Sequence, residues 1–230
     1  AAWRGMLEDQ SPEGQREYAA YLRSVVNQMD GLDESGLTPD QQTSYQVVRS
    51  AFATAVEGFD LPYGDVAVGS WRNAPYVVIQ NVGTYLDMPR FMDSSHPVED
   101  AADADAFVSR IEAMPQVLDG ELERIRSARA MGVVPPDFLL DKAIAQMERT
   151  ITDAEKGEPF TTSLQEKLTE AGLPTGWAGR VSLLTRGPVA DALKRQLAEL
   201  KAERAVATSE AGMWARPGGE EWYRWALKAS

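Results

Sequence analysis

The sequence predicts an all-α fold, a multi-helix array, and three observations predict it. Helix-start signals recur along the chain. Apolar residues repeat at three- and four-residue spacing, which places them on one face of a helix. A single β-branched run, Tyr76-Val77-Val78-Ile79, has no second run to pair with.

Trp3 to Leu7 reads as part of a helix. Ser11-Pro12 opens the next one with a capping side chain and proline at the first helical position, and Gly31 supplies its stop. Thr38-Pro39-Asp40-Gln41 is a capping box that opens a helix to about Glu57. Phe59 to Pro75, rich in Gly, Pro and Asp, reads as a long connection. Tyr76 to Leu86 reads as a buried helix, because a lone strand would leave its backbone groups unpaired. Leu118, Leu122, Ile125 and Arg129 keep a helical rhythm between Met114 and Gly132. Leu140, Ile144, Met147 and Ile151 form the next stripe, entered through Pro135-Pro136. Thr162-Ser163-Leu164-Gln165 reads as another capping box, closed by Gly172. Gly187-Pro188 reads as the start of a long helix with Val189, Leu193, Leu197 and Leu200 on its buried side. Glu220 to Ala229 is amphipathic and reads as a last helix.

Composition removes several functions. The chain has 230 residues, 43% of them hydrophobic, so a sizeable core is within reach. Asp and Glu number 35 against 23 Lys and Arg, a net charge of −12 that repels phosphate backbones and argues against nucleic acid as a partner. Cysteine is absent, which excludes disulfides, thiolate nucleophiles and cysteine-ligated zinc. No stretch approaches the ~20 apolar residues of a membrane span. The compartment stays open between bacterial cytoplasm and cell envelope or exterior. Both ends read as cut, so the expectation is one helical region, residues 1–230, belonging to a larger protein.

Candidate chemistry is sparse. His96 is the one histidine, and a zinc pair one helical turn apart needs two. Its position before Pro97 suggests a capping or loop role. Glu99-Asp100-Ala101-Ala102-Asp103 approximates an acidic magnesium motif, but no second acidic motif or diphosphate-binding cluster accompanies it. Carboxylates also gather at helix N-termini because the macrodipole favours them, and that is the preferred account. Trp214, Trp222, Tyr223 and Trp225 crowd around Arg216-Pro217-Gly218-Gly219, where glycines allow close backbone approach.

Three segments resemble, in order, a known family. Asn81-Val82-Gly83-Thr84-Tyr85-Leu86-Asp87-Met88-Pro89-Arg90-Phe91-Met92, followed by His96-Pro97, is similar to a signature of the bacterial family catalogued as domain of unknown function 885. Arg126 to Pro136 resembles its Arg-x-Gly-x-x-x-Gly-x-x-Pro-Pro region, with alanine at one glycine position. Arg216 to Leu227 resembles its Pro-x-Gly-x-x-x-Tyr-x-x-x-Leu segment.

The resemblance implies an all-helical fold similar to zinc metallopeptidases, whose His-Glu-x-x-x-Gly-His motif lies beyond the last of these segments. It therefore implies the amino-terminal portion, with no cofactor and no catalytic residue in this chain. Zinc is expected in a carboxyl-terminal part, which would be the partner, including as a separate nicked chain. Tyr223, Gly218 and Arg216 are the expected substrate contacts. The competing expectation is a freestanding helical binding or interaction module.

Overall fold

Residues 2–69 and 73–230 are described by the structure, a computed structural model. The connection predicted over 59–75 is thus described except at 70–72. Among the described residues there are α-helices, short 3-10 turns and isolated β-bridges, with no sheet.

The first two helices form an antiparallel hairpin. α1 (Pro12–Asp30) begins at Ser11, whose hydroxyl accepts from the Gly14 N–H at 3.1 Å. α2 (Pro39–Phe59) begins with the predicted capping box, in which Thr38 and Gln41 exchange bonds of 3.0 and 3.3 Å. Only Gly14, Ala19 and Leu22 of α1 and Thr54, Ala55 and Gly58 of α2 are buried. The hairpin is therefore rooted at one end, and its far end is covered by side-chain polarity rather than by packing.

The remaining helices build the main core. α3 (Thr84–Ser94) leads into α4 (Ala101–Ala130), the 30-residue central helix. α5 (Asp137–Ala154) packs on α8 (Ala190–Arg204), and α8 packs on α4. α6 (Phe160–Glu170) and α7 (Gly176–Leu184) close the side between α3 and α4. The predicted stripes face inward. Leu118, Leu140, Met147, Val189 and Leu200 are fully buried, while Ile144 and Leu197 sit at the margin of the same cluster. Truncating one such side chain to alanine costs about 2–5 kcal/mol. α9 (Gly219–Ala229) returns to α2 and, with the connection after α2, forms a second apolar cluster around Trp222 and Trp225.

Four expectations need correction. Tyr76 to Val82 is buried but not helical. Pro75 and the β-branched run disfavour the helix, and the unpaired backbone groups find other partners. Ile79 and Val82 exchange backbone bonds of 3.0 and 3.4 Å, and the Tyr85 hydroxyl donates to the Ile79 carbonyl at 3.0 Å. The helix begins at Thr84 instead, after Gly83 at φ +129°. Thr162 opens nothing, because α6 already starts at Phe160 and Thr162 lies inside it; Gly172 does terminate it, at φ +66°. Gly187-Pro188 does not start a helix either. It lies in a five-residue π-helical stretch, Thr185–Val189, through which α7 runs on into α8. A wider turn relieves the clash a proline makes with the preceding turn. Residues 2–5 form a 3-10 turn in place of the expected helix over Trp3 to Leu7.

Candidate functional site

Arg216, Gly218 and Tyr223 lie at the entrance to α9. Gly218 is its N-cap, at φ +67° and ψ 10°, a left-handed conformation that suits glycine. Gly219 follows, and a Cβ there would overlap the Met213 carbonyl. Gly219 thus serves the close approach of the 213–216 turn to the start of α9, while Gly218 supplies the left-handed turn and leaves its own surroundings open.

Arg216 is buried. Its Nε donates to the Tyr76 hydroxyl at 3.0 Å and its Nη2 to the Glu210 carbonyl at 2.7 Å. It therefore ties the turn to the connection after α2. Tyr223 is 54% exposed, with Leu227 one turn on at 60% and Trp214, before α9, at 81%. Trp222 and Trp225 face inward, edge to face at 5.7 Å, and Trp225 Nε1 donates to the Thr54 carbonyl at 2.7 Å. The aromatic cluster divides into an anchoring pair and an exposed pair.

His96 occupies the loop between α3 and α4, as its neighbours predicted. It is buried, with Nδ1 2.6 Å from Arg110 Nη1 and Nε2 3.1 Å from the Asp103 carbonyl. Arginine only donates, so Nδ1 is the acceptor and Nε2 carries the proton. Burial pushes its pKa below the ordinary value. The acidic run also has a structural place. Asp100 caps α4 by accepting from the Asp103 N–H at 2.9 Å, while Asp103 accepts from the Glu99 N–H and pairs with Arg4.

A larger feature was not foreseen. A groove of about 650 Å³ runs along α3 and α4, bounded on its other side by the segment before α1 and the residues after α2. Glu121 of α4 forms part of its floor, 4% exposed. Its Oε1 accepts from Thr84 N at 2.8 Å and Thr84 Oγ1 at 2.6 Å, and its Oε2 accepts from Gln196 Nε2 at 2.9 Å. Burial outweighs these bonds and pushes its pKa up to about 7. At the rim, Glu8 is raised by partial burial and then by the Asp65 carboxylate, which is itself held by Arg124 at 2.7 Å. Arg90 and Arg110 line the opposite end. A second buried carboxyl, Glu203 on α8, is raised to about 8 by burial and by Glu199, which Arg126 and Arg129 neutralise.

One signal for Glu121 stood in the sequence. It lies three residues after Leu118, inside the apolar stripe of α4, and Gln196 interrupts the stripe of α8 in the same way, three after Leu193. Polar residues in a buried stripe need partners, and these two are each other's. The groove itself, assembled from four separate segments, left no local trace.

The all-helical fold, with its signature segments on α3, after α4 and at α9, defines the class. A family profile described as a bacterial protein of unknown function (DUF885) matches residues 2–230, and the chain belongs to that family. No curated protein matches the sequence. Among solved structures, one titled "The crystal structure of the putative lipoprotein from Colwellia psychrerythraea" is similar at a TM-score of 0.88 and 22% identity. The match covers 98% of this chain and 39% of that one, so this chain spans well under half of the length of its structural neighbour. At that identity the likeness concerns the fold.

Proposed function

We propose that this chain is the amino-terminal scaffold and cleft-forming portion of a zinc-dependent peptidase-like hydrolase, and that it is not catalytic alone. The observation that carries the reading is the neighbour's length: nearly all of this chain superimposes on 39% of a longer one. The exposed side chains of Trp214, Tyr223 and Leu227 support it, since an aromatic side chain buries ~150–250 Å² when covered.

The residues of this chain do not fit a zinc site. The one histidine is locked between Arg110 and the Asp103 carbonyl, and no three His, Asp or Glu side chains among the described residues are grouped to hold a metal. The metal and its general base belong, in this reading, to the remaining part of the longer protein, and no catalytic step is assigned to residues here.

What this chain supplies is shape. Gly218 lets backbone approach a bound chain closely, Tyr223 makes the direct substrate contact, and Arg216 holds the turn that presents both. In the longer protein, Tyr223→Ala is expected to raise KM for peptide hydrolysis roughly tenfold with kcat little changed, the mark of lost binding common to ground and transition states. An unaltered KM would remove Tyr223 from the site.

A further inference from the structure

The groove along α3 and α4 has opposite charges at its two ends. Arg110 and Glu121 are eleven residues apart on α4, which puts them ~16 Å apart along the axis at 1.5 Å per residue. Arg90 adjoins Phe91, over whose ring Arg110 lies, while Glu8 and Glu121 each feel the charge of Asp65. Phe91, Met88 and Val117 also line the groove, together with a further carboxylate, Asp87.

The charges at both ends are left incompletely balanced. Glu8 has no ion-pair partner among the described residues, although burial and Asp65 both disfavour its ionised form. Arg124 is nearby but is spent on Asp65, Gly64 and Gln10. Among the described residues Arg110 bonds only neutral acceptors, the Met6 carbonyl at 3.1 Å and His96, and lies 4.8 Å over the Phe91 ring. Arg90 has no acidic partner among the described residues. The α3 dipole does not account for this polarity, because Glu8 comes from the segment before α1 and Arg110 from α4. A ligand that brings an ammonium to one end and a carboxylate to the other would neutralise both.

We infer that this groove binds a short extended peptide with free ends, its amino terminus at Glu8 and its carboxylate at Arg90 and Arg110. An extended chain advances about 3.3 Å per residue, so four or five residues span the ~16 Å of α4 between Arg110 and Glu121. The volume of about 650 Å³ lies within the range of small-ligand sites. The groove is lined by none of Arg216, Gly218 and Tyr223. The inference therefore goes beyond the proposed function and rests on it only for calling the peptide a substrate, not for its binding.

Titration calorimetry of the 230-residue chain with tetra-alanine tests it. Acetylating the peptide's amino end and amidating its carboxyl end are each expected to weaken binding about tenfold or more, the loss of one charge-assisted contact. In Glu8→Gln the penalty for acetylation should vanish while that for amidation remains; in Arg90→Gln the reverse should hold. Arg90 is exposed, and Glu8 is exposed as a residue although its surroundings partly desolvate its carboxyl; unchanged circular dichroism would verify folding of the variants. No binding at millimolar peptide, equal affinity for the blocked peptides, or penalties that survive both substitutions would overturn the inference. The outcomes separate it from the hydrolase reading. Charge-selective binding on a longer protein without hydrolase activity would leave the groove and remove the enzyme. A zinc hydrolase with unaltered KM in both variants, and no binding to this chain, would do the opposite.

Discussion

Thr84 gives both of its donors to one oxygen of Glu121: the backbone N–H at 2.8 Å and the hydroxyl at 2.6 Å. Thr84 is the first residue of α3, and its N-cap, Gly83, has no side chain to offer. The cap is therefore supplied across the fold, by a carboxyl on the middle of α4. This contact sets α3 against α4, and with it the wall of the groove that carries Arg90 and Phe91.

Stability should fall as pH rises through the neutral range. Glu121 titrates near 4.5 when unfolded and near 7 when folded. Between those values the folded chain holds the extra proton, so raising the pH favours unfolding. Its contribution is complete below about 4.5 and gone above about 7, a difference on the order of 3 kcal/mol. Glu203, raised to about 8, acts with the same sign over a window that extends further. Urea midpoints should therefore drop between pH 5 and pH 8.5, and drop less in Glu121→Gln. A midpoint that climbs over that range, or an identical slope in the variant, would contradict the assignment.

Removing the Thr84 hydroxyl should leave a buried carboxyl short of one donor. Thr84→Val is expected to cost about 2 kcal/mol, within the range for leaving a buried polar group short of a partner. Thr84→Ser restores the donor and should recover most of that loss. Equal destabilisation by Val and Ser, measured by denaturant unfolding, would point to the methyl group instead.

Two glycines in helices should respond oppositely to alanine. At Gly120, in the middle of α4, a Cβ would lie 2.5 Å from the Ser11 backbone nitrogen and 2.9 Å from the Gln10 carbonyl carbon. Backbone cannot step aside as a side chain can, so Gly120→Ala should destabilise by about 1–3 kcal/mol. At Gly179 of α7 nothing lies within 4 Å. There the substitution should stabilise by up to about 1 kcal/mol, the helix-propensity difference. Thermal midpoints moving in the same direction for both variants would refute the close approach of residues 10–11 to α4.

The sequence displayed its helices where local rules act alone. The caps at Ser11 and Thr38 and the stripes through Leu140 and Leu193 depend on neighbours three or four residues away. It misled where distant contacts decide. Tyr76 to Val82 stays out of a helix where a tyrosine three residues beyond it and an Ile79–Val82 bridge within it bond its backbone. Gly187-Pro188 passes for a helix start because proline at a first turn and proline in a π-turn look alike in sequence. The exposed position of Tyr223 and the burial of Trp222 follow from the amphipathic pattern of α9, but the burial of Arg216 needed the Tyr76 hydroxyl, 140 residues away.

The proposed role stands or falls most directly on metal content. Elemental analysis should find no stoichiometric zinc in the 230-residue chain, whose one histidine and absent cysteines cannot supply the three protein ligands of a catalytic site. The same measurement on the longer protein should find one zinc per chain, with peptide hydrolysis lost on chelation and regained on adding zinc. One tightly held zinc in the 230-residue chain, or a longer protein that hydrolyses peptides undiminished after its metal is stripped, would contradict the account.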